Sequence, residues 1–280
     1  MAPTLGAIDL VSITTFTLII VLALIYSIPI ICIRRFHHNN NMLTVNICFA
    51  TICCGLSWFS FYAAAILIGR DGNNSLFVIF NMITIAFTIQ VPFSFVAASI
   101  HRCCSIIYHA NAFFKTRQWI ALCIGSQWLL CLVLSLPNYI SINTFCDQFV
   151  WLRIHNLITI VIIPAILSLL INILIYNYVR ASSNRIQPQM IPENAQRTKF
   201  SHRDMKLVRH MIFMFCIFVG GWTPIYIMAI INFYSVINTI ISSSLTILCE
   251  LASFINIIDL FLYNRQLRKY FKLSCVKFAS

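Results

Sequence analysis

The sequence predicts an all-α membrane protein, a bundle of seven transmembrane helices followed by a short amphipathic eighth helix. The first observation behind this prediction is composition. The 280 residues are 60% hydrophobic and only 9% charged, whereas soluble domains are about 45–50% apolar and about 25% charged. The second is the number of apolar stretches that reach the length of a membrane span, about 20 residues. Seven occur, near residues 10–33, 43–69, 76–100, 119–137, 155–179, 208–231 and 239–263.

Each stretch is expected to be a helix because it is long and scarcely interrupted, whereas barrel strands alternate over about 10 residues. A helix also satisfies its own backbone groups, as hydrocarbon requires. Residues 1–9 contain no Lys or Arg and so lack the basic region of a signal peptide. We predict an extracellular N-terminus over 1–9, a seven-helix domain over 10–263, and an amphipathic helix with a cytoplasmic tail over 264–280.

Basic residues predict the orientation. If the linkers alternate between two sides of the membrane, 17 of the 19 Lys and Arg residues fall on one side, and only Arg70 and Arg153 on the other. The positive-inside rule places the basic side in the cytoplasm and the N-terminus outside. The glycosylation sequon at Asn73 then lies outside. We expect a multi-pass plasma-membrane protein whose basic loops face anionic membrane lipid, with no nucleic-acid partner.

Acidic residues inside the stretches discriminate among possible functions. Glu250 and Asp259, both in the seventh stretch, are nine residues apart. At about 100° per residue they face opposite sides of the helix. They therefore do not converge as the acids of an intramembrane protease do, and no HExxH motif is present. We expect no enzyme activity, cofactor or metal. A ligand-sensing receptor is favoured, and a transporter or channel, which normally needs several charged groups on facing helices, is the alternative.

Five motifs occur in order along the chain. They are His101-Arg102-Cys103 ending the third stretch, Trp128 with Pro137 in the fourth, Pro164 in the fifth, Phe218-Val-Gly-Gly-Trp222-Thr-Pro224 in the sixth, and Asp259-Leu-Phe-Leu-Tyr263 ending the seventh. With these motifs the chain resembles the rhodopsin-like family of G-protein-coupled receptors over all seven helices. The first motif stands where the family has Asp-Arg-Tyr, and the last resembles its Asn-Pro-x-x-Tyr.

The resemblance implies a receptor that binds an extracellular ligand and activates a heterotrimeric G protein when the sixth helix moves. Pro224 removes a backbone donor and is expected to kink that helix. Trp222 and Phe218 would re-pack when a ligand presses from outside. Arg102 would lie where the cytoplasmic face opens, and Asp204, at the base of the sixth helix, would hold that face closed. The alternative for Asp204 is a solvated charge in a basic loop.

The resemblance also implies roles for residues of the seventh helix and the C-terminal tail. Asp259 is expected to replace the family's helix-2 acid, whose position is occupied by Thr51, and Tyr263 ends the helix. A short eighth helix from Asn264 to Lys272 would lie on the membrane surface. In that helix, the side chains expected to face lipid are Leu267, Tyr270 and Phe271. Beyond it, Cys275 is a candidate for palmitoylation, with an idle thiol as the alternative.

Two further departures from the family occur elsewhere in the chain. Asn172 stands where a Tyr is expected in the fifth helix. The resemblance would also pair Cys146 with the outer end of the third helix, but Phe77 occupies that position. We therefore expect the family's disulfide to be absent.

Four residues are candidates for binding the ligand: Thr84, Gln90, Tyr226 and Glu250. Thr84 occupies the place where amine receptors carry an Asp, which disfavours a biogenic amine. The carboxylate of Glu250 would suit a cationic or peptide ligand, in a cavity shared with Trp222 and open to the outside. The alternative for Glu250 is a structural hydrogen bond to a neighbouring helix.

Overall fold

The structure is a computed structural model that describes residues 3–33, 39–67, 75–108, 111–143, 150–184, 194–235, 238–264 and 267–271. These segments are almost entirely helical, which confirms the predicted all-α fold. The seven long helices are helix 1 (Pro3–Cys32), helix 2 (Asn39–Leu67), helix 3 (Ser75–Ile107), helix 4 (Arg117–Asn143), helix 5 (150–184), helix 6 (Asn194–Tyr234) and helix 7 (Thr239–Tyr263).

Each of the seven helices is long and apolar enough to cross a membrane, which confirms the predicted number of spans. Six of them begin or end beyond the predicted boundaries, and the difference is largest at helix 6. The predicted span of helix 6 begins near residue 208, but the helix begins at Asn194. Apolarity marks only the part of a helix that lies in hydrocarbon, whereas the backbone hydrogen bonds continue into polar and basic residues.

Helix 5 contains a π-helical turn in its first half. The helix is regular over Val150–Leu157, widens into a π-turn over Ile158–Ile162, and resumes over Ile163–Asn184. In the turn the Ile163 N–H donates to the carbonyl of Ile158, five residues back. Pro164 follows directly, and because it lacks an N–H and crowds the carbonyl four residues earlier, the wider turn accommodates it.

The order of neighbours around the bundle positions helices 3 and 7. Helix 3 contacts helices 2, 4, 5 and 6, while helix 7 lies between helix 1 and helix 6. The buried share of the membrane-spanning window is 72% for helix 3 and only 22% for helix 4. Helix 3 is therefore central, and helix 4 has most of its surface turned outwards.

Buried amide groups join helices 2, 3 and 4. The Asn46 side-chain amide donates to Gln127 Oε1 at 2.7 Å, and Gln127 Nε2 donates to Gln90 Oε1 at 3.0 Å. Trp128 Nε1 in turn donates to Asn46 Oδ1 at 3.0 Å. An unpaired amide at this depth would cost several kcal/mol in hydrocarbon, so this network fixes the mutual register of the three helices.

A short C-terminal helix over residues 267–271 confirms the predicted eighth helix, but its orientation differs from the prediction. Asn264 precedes it, and its Oδ1 accepts the Leu267 backbone N–H at 3.1 Å, as an N-cap residue does. The expectation that Leu267 faces lipid is wrong, because its side chain is completely buried in the core. Phe271 contacts Phe261 of helix 7 with ring centroids 6.2 Å apart, and Tyr270 is exposed.

Candidate functional site

The bundle has two ends that differ in charge. We refer to the end at which helix 1 begins as the amino end, and to the end at which helix 3 carries Arg102 as the basic end. Helix 6 runs from the basic end to the amino end, and helix 7 runs in the opposite direction. Among the sequence-predicted site residues that the structure describes, most lie on these two helices.

An aromatic column runs along helix 6 through the middle of the bundle. Phe218, Trp222 and Tyr226 are spaced four residues apart, so their side chains lie on one face. Phe218 and Trp222 stack with centroids 5.7 Å apart, and Trp222 and Tyr226 stack at 6.2 Å. Phe95 of helix 3 meets Phe218 edge-on at 6.2 Å. The helix 6 residues predicted to re-pack are therefore in mutual contact.

Trp58 of helix 2 extends this column and was not among the predicted site residues. Its ring centroid lies 6.1 Å from that of Trp222, and its Nε1 donates to Thr88 Oγ1 of helix 3 at 3.0 Å. Phe16 of helix 1 stacks on its face at 6.0 Å. A tryptophan within an apolar stretch gives no sequence signal of the direction in which it points, so its position became evident only from the helix packing.

A small cavity of about 20 Å³ lies beside Trp222, between helices 1, 2, 3, 6 and 7. Its polar lining consists of Thr51, Ser253 and Asn256. Asn256 is nine-tenths buried, and its amide has no hydrogen-bond partner among the described residues. Ser253 accepts the Trp222 Nε1–H at 3.3 Å. The volume suffices for one water, but not for an organic ligand.

The four candidate ligand residues do not share this cavity. The Thr84 hydroxyl donates to the Phe80 carbonyl of its own helix at 2.7 Å and lies 3.2 Å from the Ser57 carbonyl of helix 2. Gln90 belongs to the amide network with Gln127. Glu250 is 1% exposed and lies next to Ser12 of helix 1. Only Tyr226, which stacks on Trp222, belongs to the aromatic column, and none of the four lines the cavity beside Trp222.

At the basic end, His210 of helix 6 contacts two residues of helix 7. The His210 Nε2 lies 2.7 Å from Asp259 Oδ2, and its ring stacks on Tyr263 with centroids 3.8 Å apart. Arg102 of helix 3 is near enough for its charge to act on His210. Asp259 therefore points towards helix 6, and Asn256, one turn earlier on helix 7, lies at the cavity beside Thr51. The sequence indicated Asp259 and Tyr263 but not His210.

Other predicted features lie outside the described residues. They are the Asn73 sequon, Cys146 and Cys275. Helix 6 includes the backbone of Asp204, and helix 3 includes that of Phe77, but neither side chain is described. Among the side chains that are described, no group of three His, Cys, Asp or Glu residues is placed to hold a metal ion.

Comparison with known proteins identifies no family for this chain. No protein-family model matches the sequence, and no curated protein matches it significantly.

Proposed function

We propose that this chain is a cell-surface receptor that binds an extracellular ligand and activates a heterotrimeric G protein through movement of helix 6. The observation that carries the proposal is the aromatic column formed by Tyr226, Trp222 and Phe218 in the bundle core. It extends from the outer half of the bundle towards the basic end, where Arg102 and Asp259 lie. The resemblance of these motifs to rhodopsin-like receptors supports the same function.

The column would act as the mechanical link between the two ends. Because Phe218 and Trp222 are almost fully buried, a shift of either ring requires its neighbours to move, since packed cores are not continuously deformable. Pro224 lies within helix 6 and leaves the Gly220 carbonyl without its helical donor. The helix is thus weakest next to the rings that a ligand would displace.

The orientation, with the amino end outside and the basic end in the cytoplasm of the plasma membrane, is part of this proposal. Its support is the excess of basic residues on one side. An epitope tag inserted next to Ser75 should be accessible to antibody in intact cells. A tag inserted next to Gln187 should be accessible only after permeabilisation. The reverse result would exclude the proposed orientation and the receptor mechanism with it.

The decisive experiment is a ligand screen read out by G-protein recruitment in living cells. An active ligand should recruit a G protein to the wild-type chain, and Arg102→Ala should lower that response at matched surface expression. Peptides and small cations are the first classes to test, because of the Glu250 carboxylate. That residue faces helix 1, so ligand classes without a positive charge belong in the same screen.

The alternative function, a transporter or channel, makes a different prediction. It requires solute or ion flux through the purified chain in liposomes without any G protein. The cavity beside Trp222 has a volume of only about 20 Å³, which is too small for a solute larger than water. Flux above that of empty liposomes, with no G-protein recruitment by any ligand, would favour the transporter.

A further inference from the structure

Helices 6 and 7 are joined at the basic end by a polar contact inside the bundle. The His210 Nε2 and the Asp259 Oδ2 are 2.7 Å apart, and their side chains are only 9% and 17% exposed. The distance is that of a close polar contact, although the alignment falls short of a hydrogen bond. At such low exposure water competes less for a polar contact than it does at the surface. The contact therefore favours the arrangement in which the two helices lie side by side.

The imidazole of His210 is held by a second neighbour on helix 7. Its ring lies almost parallel to that of Tyr263, with an interplanar angle of 17° and centroids 3.8 Å apart. Tyr263 follows Asp259 by one helical turn, so both residues project from the same face of helix 7. His210 thus contacts two successive turns of its neighbour, Asp259 through an imidazole nitrogen and Tyr263 through its ring face.

The position of this contact matters because helices 6 and 7 also meet closely near the middle of the membrane. A methyl group built on Gly221 would lie 2.3 Å from the Cβ of Ala252, so the two backbones nearly touch there. His210 is 11 residues before Gly221, which is about 16 Å along the helix. An outward swing of the basic end of helix 6 about that close approach would necessarily separate His210 from Asp259.

We propose that His210 is a switch residue of this receptor, and that its contact with Asp259 holds helix 6 against helix 7 in the resting conformation. The proposal rests on the proposed function, because it assigns the contact to the helix movement that couples to a G protein. It also gives Asp259 a different role from the expected one, which was to replace the helix-2 acid whose position Thr51 occupies. Arg102, which is close to the same cluster, would become accessible when the contact opens.

The first test is basal G-protein activation by His210→Phe at matched surface expression. Phenylalanine keeps a ring to stack on Tyr263 but cannot pair with Asp259. We expect basal activation to rise about fivefold, which corresponds to about 1 kcal/mol in the equilibrium between the two conformations. The matched control is Ile212→Phe, which introduces the same ring two residues away at an exposed position and should leave basal activation unchanged.

The second test does not depend on signalling. Thermal unfolding of purified wild type, His210→Phe, Asp259→Asn and the double variant forms a double-mutant cycle. Each single change should lower the midpoint by about 2–4 °C, and the double variant should unfold close to the less stable single variant, because both changes remove one contact. Additive losses would show that the two side chains are not coupled, and would overturn the proposal.

The two tests together separate failure of this proposal from failure of the receptor function. Coupled stabilities with unchanged basal activation, in a chain that responds to a ligand through a G protein, would overturn the switch role of His210 alone. If no ligand recruits a G protein and no variant raises basal activation, the receptor function fails, and the switch role fails with it. In that case the cycle still decides whether the contact stabilises the bundle.

Discussion

A close approach of helices 6 and 7 allows a test of the packing next to Trp222. Gly221 faces Ala252, and a Cβ added at residue 221 would lie 2.3 Å from the Ala252 Cβ. Carbon atoms normally approach no closer than about 3.5 Å, so the helices would have to separate by roughly 1 Å. Because both methyl groups are attached directly to the backbone, no change of rotamer relieves the overlap. We expect Gly221→Ala to destabilise the protein by about 1–3 kcal/mol.

Gly220 provides the matched control, since it precedes Gly221 and a Cβ there meets nothing within 4 Å. Gly220→Ala should be neutral or stabilise the helix by up to about 1 kcal/mol, through the higher helix propensity of alanine. A rescue variant combines Gly221→Ala with Ala252→Gly. It removes the overlap, because the other atoms near the new Cβ are 3.5 Å away, at ordinary contact distance.

Thermal unfolding followed with a thiol-reactive fluorophore is a suitable assay, because the described free cysteines include the buried Cys48, Cys54, Cys131 and Cys249. These thiols become reactive only when the bundle opens. For a chain of this size each kcal/mol corresponds to about 2–4 °C in the midpoint. A Gly221→Ala variant as stable as wild type, or one that the Ala252→Gly change fails to rescue, would refute the close packing of helices 6 and 7.

Two further predictions concern helix packing elsewhere in the bundle. Gly55→Ala should lower the unfolding midpoint less than Gly221→Ala, because the nearest atom to the new Cβ, at 2.9 Å, belongs to the flexible side chain of Ile20. The control is Gly125→Ala, whose new Cβ meets nothing within 4 Å and which should not lower the midpoint. Gln127→Ala should lower the free energy of unfolding by about 1–3 kcal/mol in the same assay, because it leaves buried amide groups of helices 2 and 3 unpaired. An unchanged midpoint would contradict the role assigned to the amide network.

The number of spans was predictable because hydrocarbon imposes a simple rule on sequence, about 20 apolar residues per helix. The faces of helix 7 were predictable for a similar reason. Glu250 and Asp259 were expected on opposite sides, and the structure places the first next to helix 1 and the second against helix 6. Helical periodicity alone determines such a relation, whatever the neighbouring helices are.

Contacts between helices were not predictable in the same way. His210 lies in a polar, basic part of the chain, where one more ionisable residue gives no signal. Gln90 was expected in a ligand cavity, but its amide pairs with Gln127 of helix 4. Leu267 was expected to face lipid because its segment is amphipathic, yet it is fully buried. In each case the outcome depended on which helix lies alongside, and the apolar surfaces of these helices do not encode that order.

The contacts of Trp58 bear on how a ligand would reach the switch. Helix 2 runs towards the amino end, so Tyr62 lies nearer that end than Trp58, and their rings are 5.6 Å apart. Trp58 is fixed by its hydrogen bond to Thr88 and lies against Trp222. A ligand entering the proposed receptor from the amino end would therefore meet Tyr62 of helix 2 and Tyr226 of helix 6 before it met Trp222. In the proposed receptor, the signal would pass to helix 6 through contact between packed rings, without a cavity that extends down to Trp222.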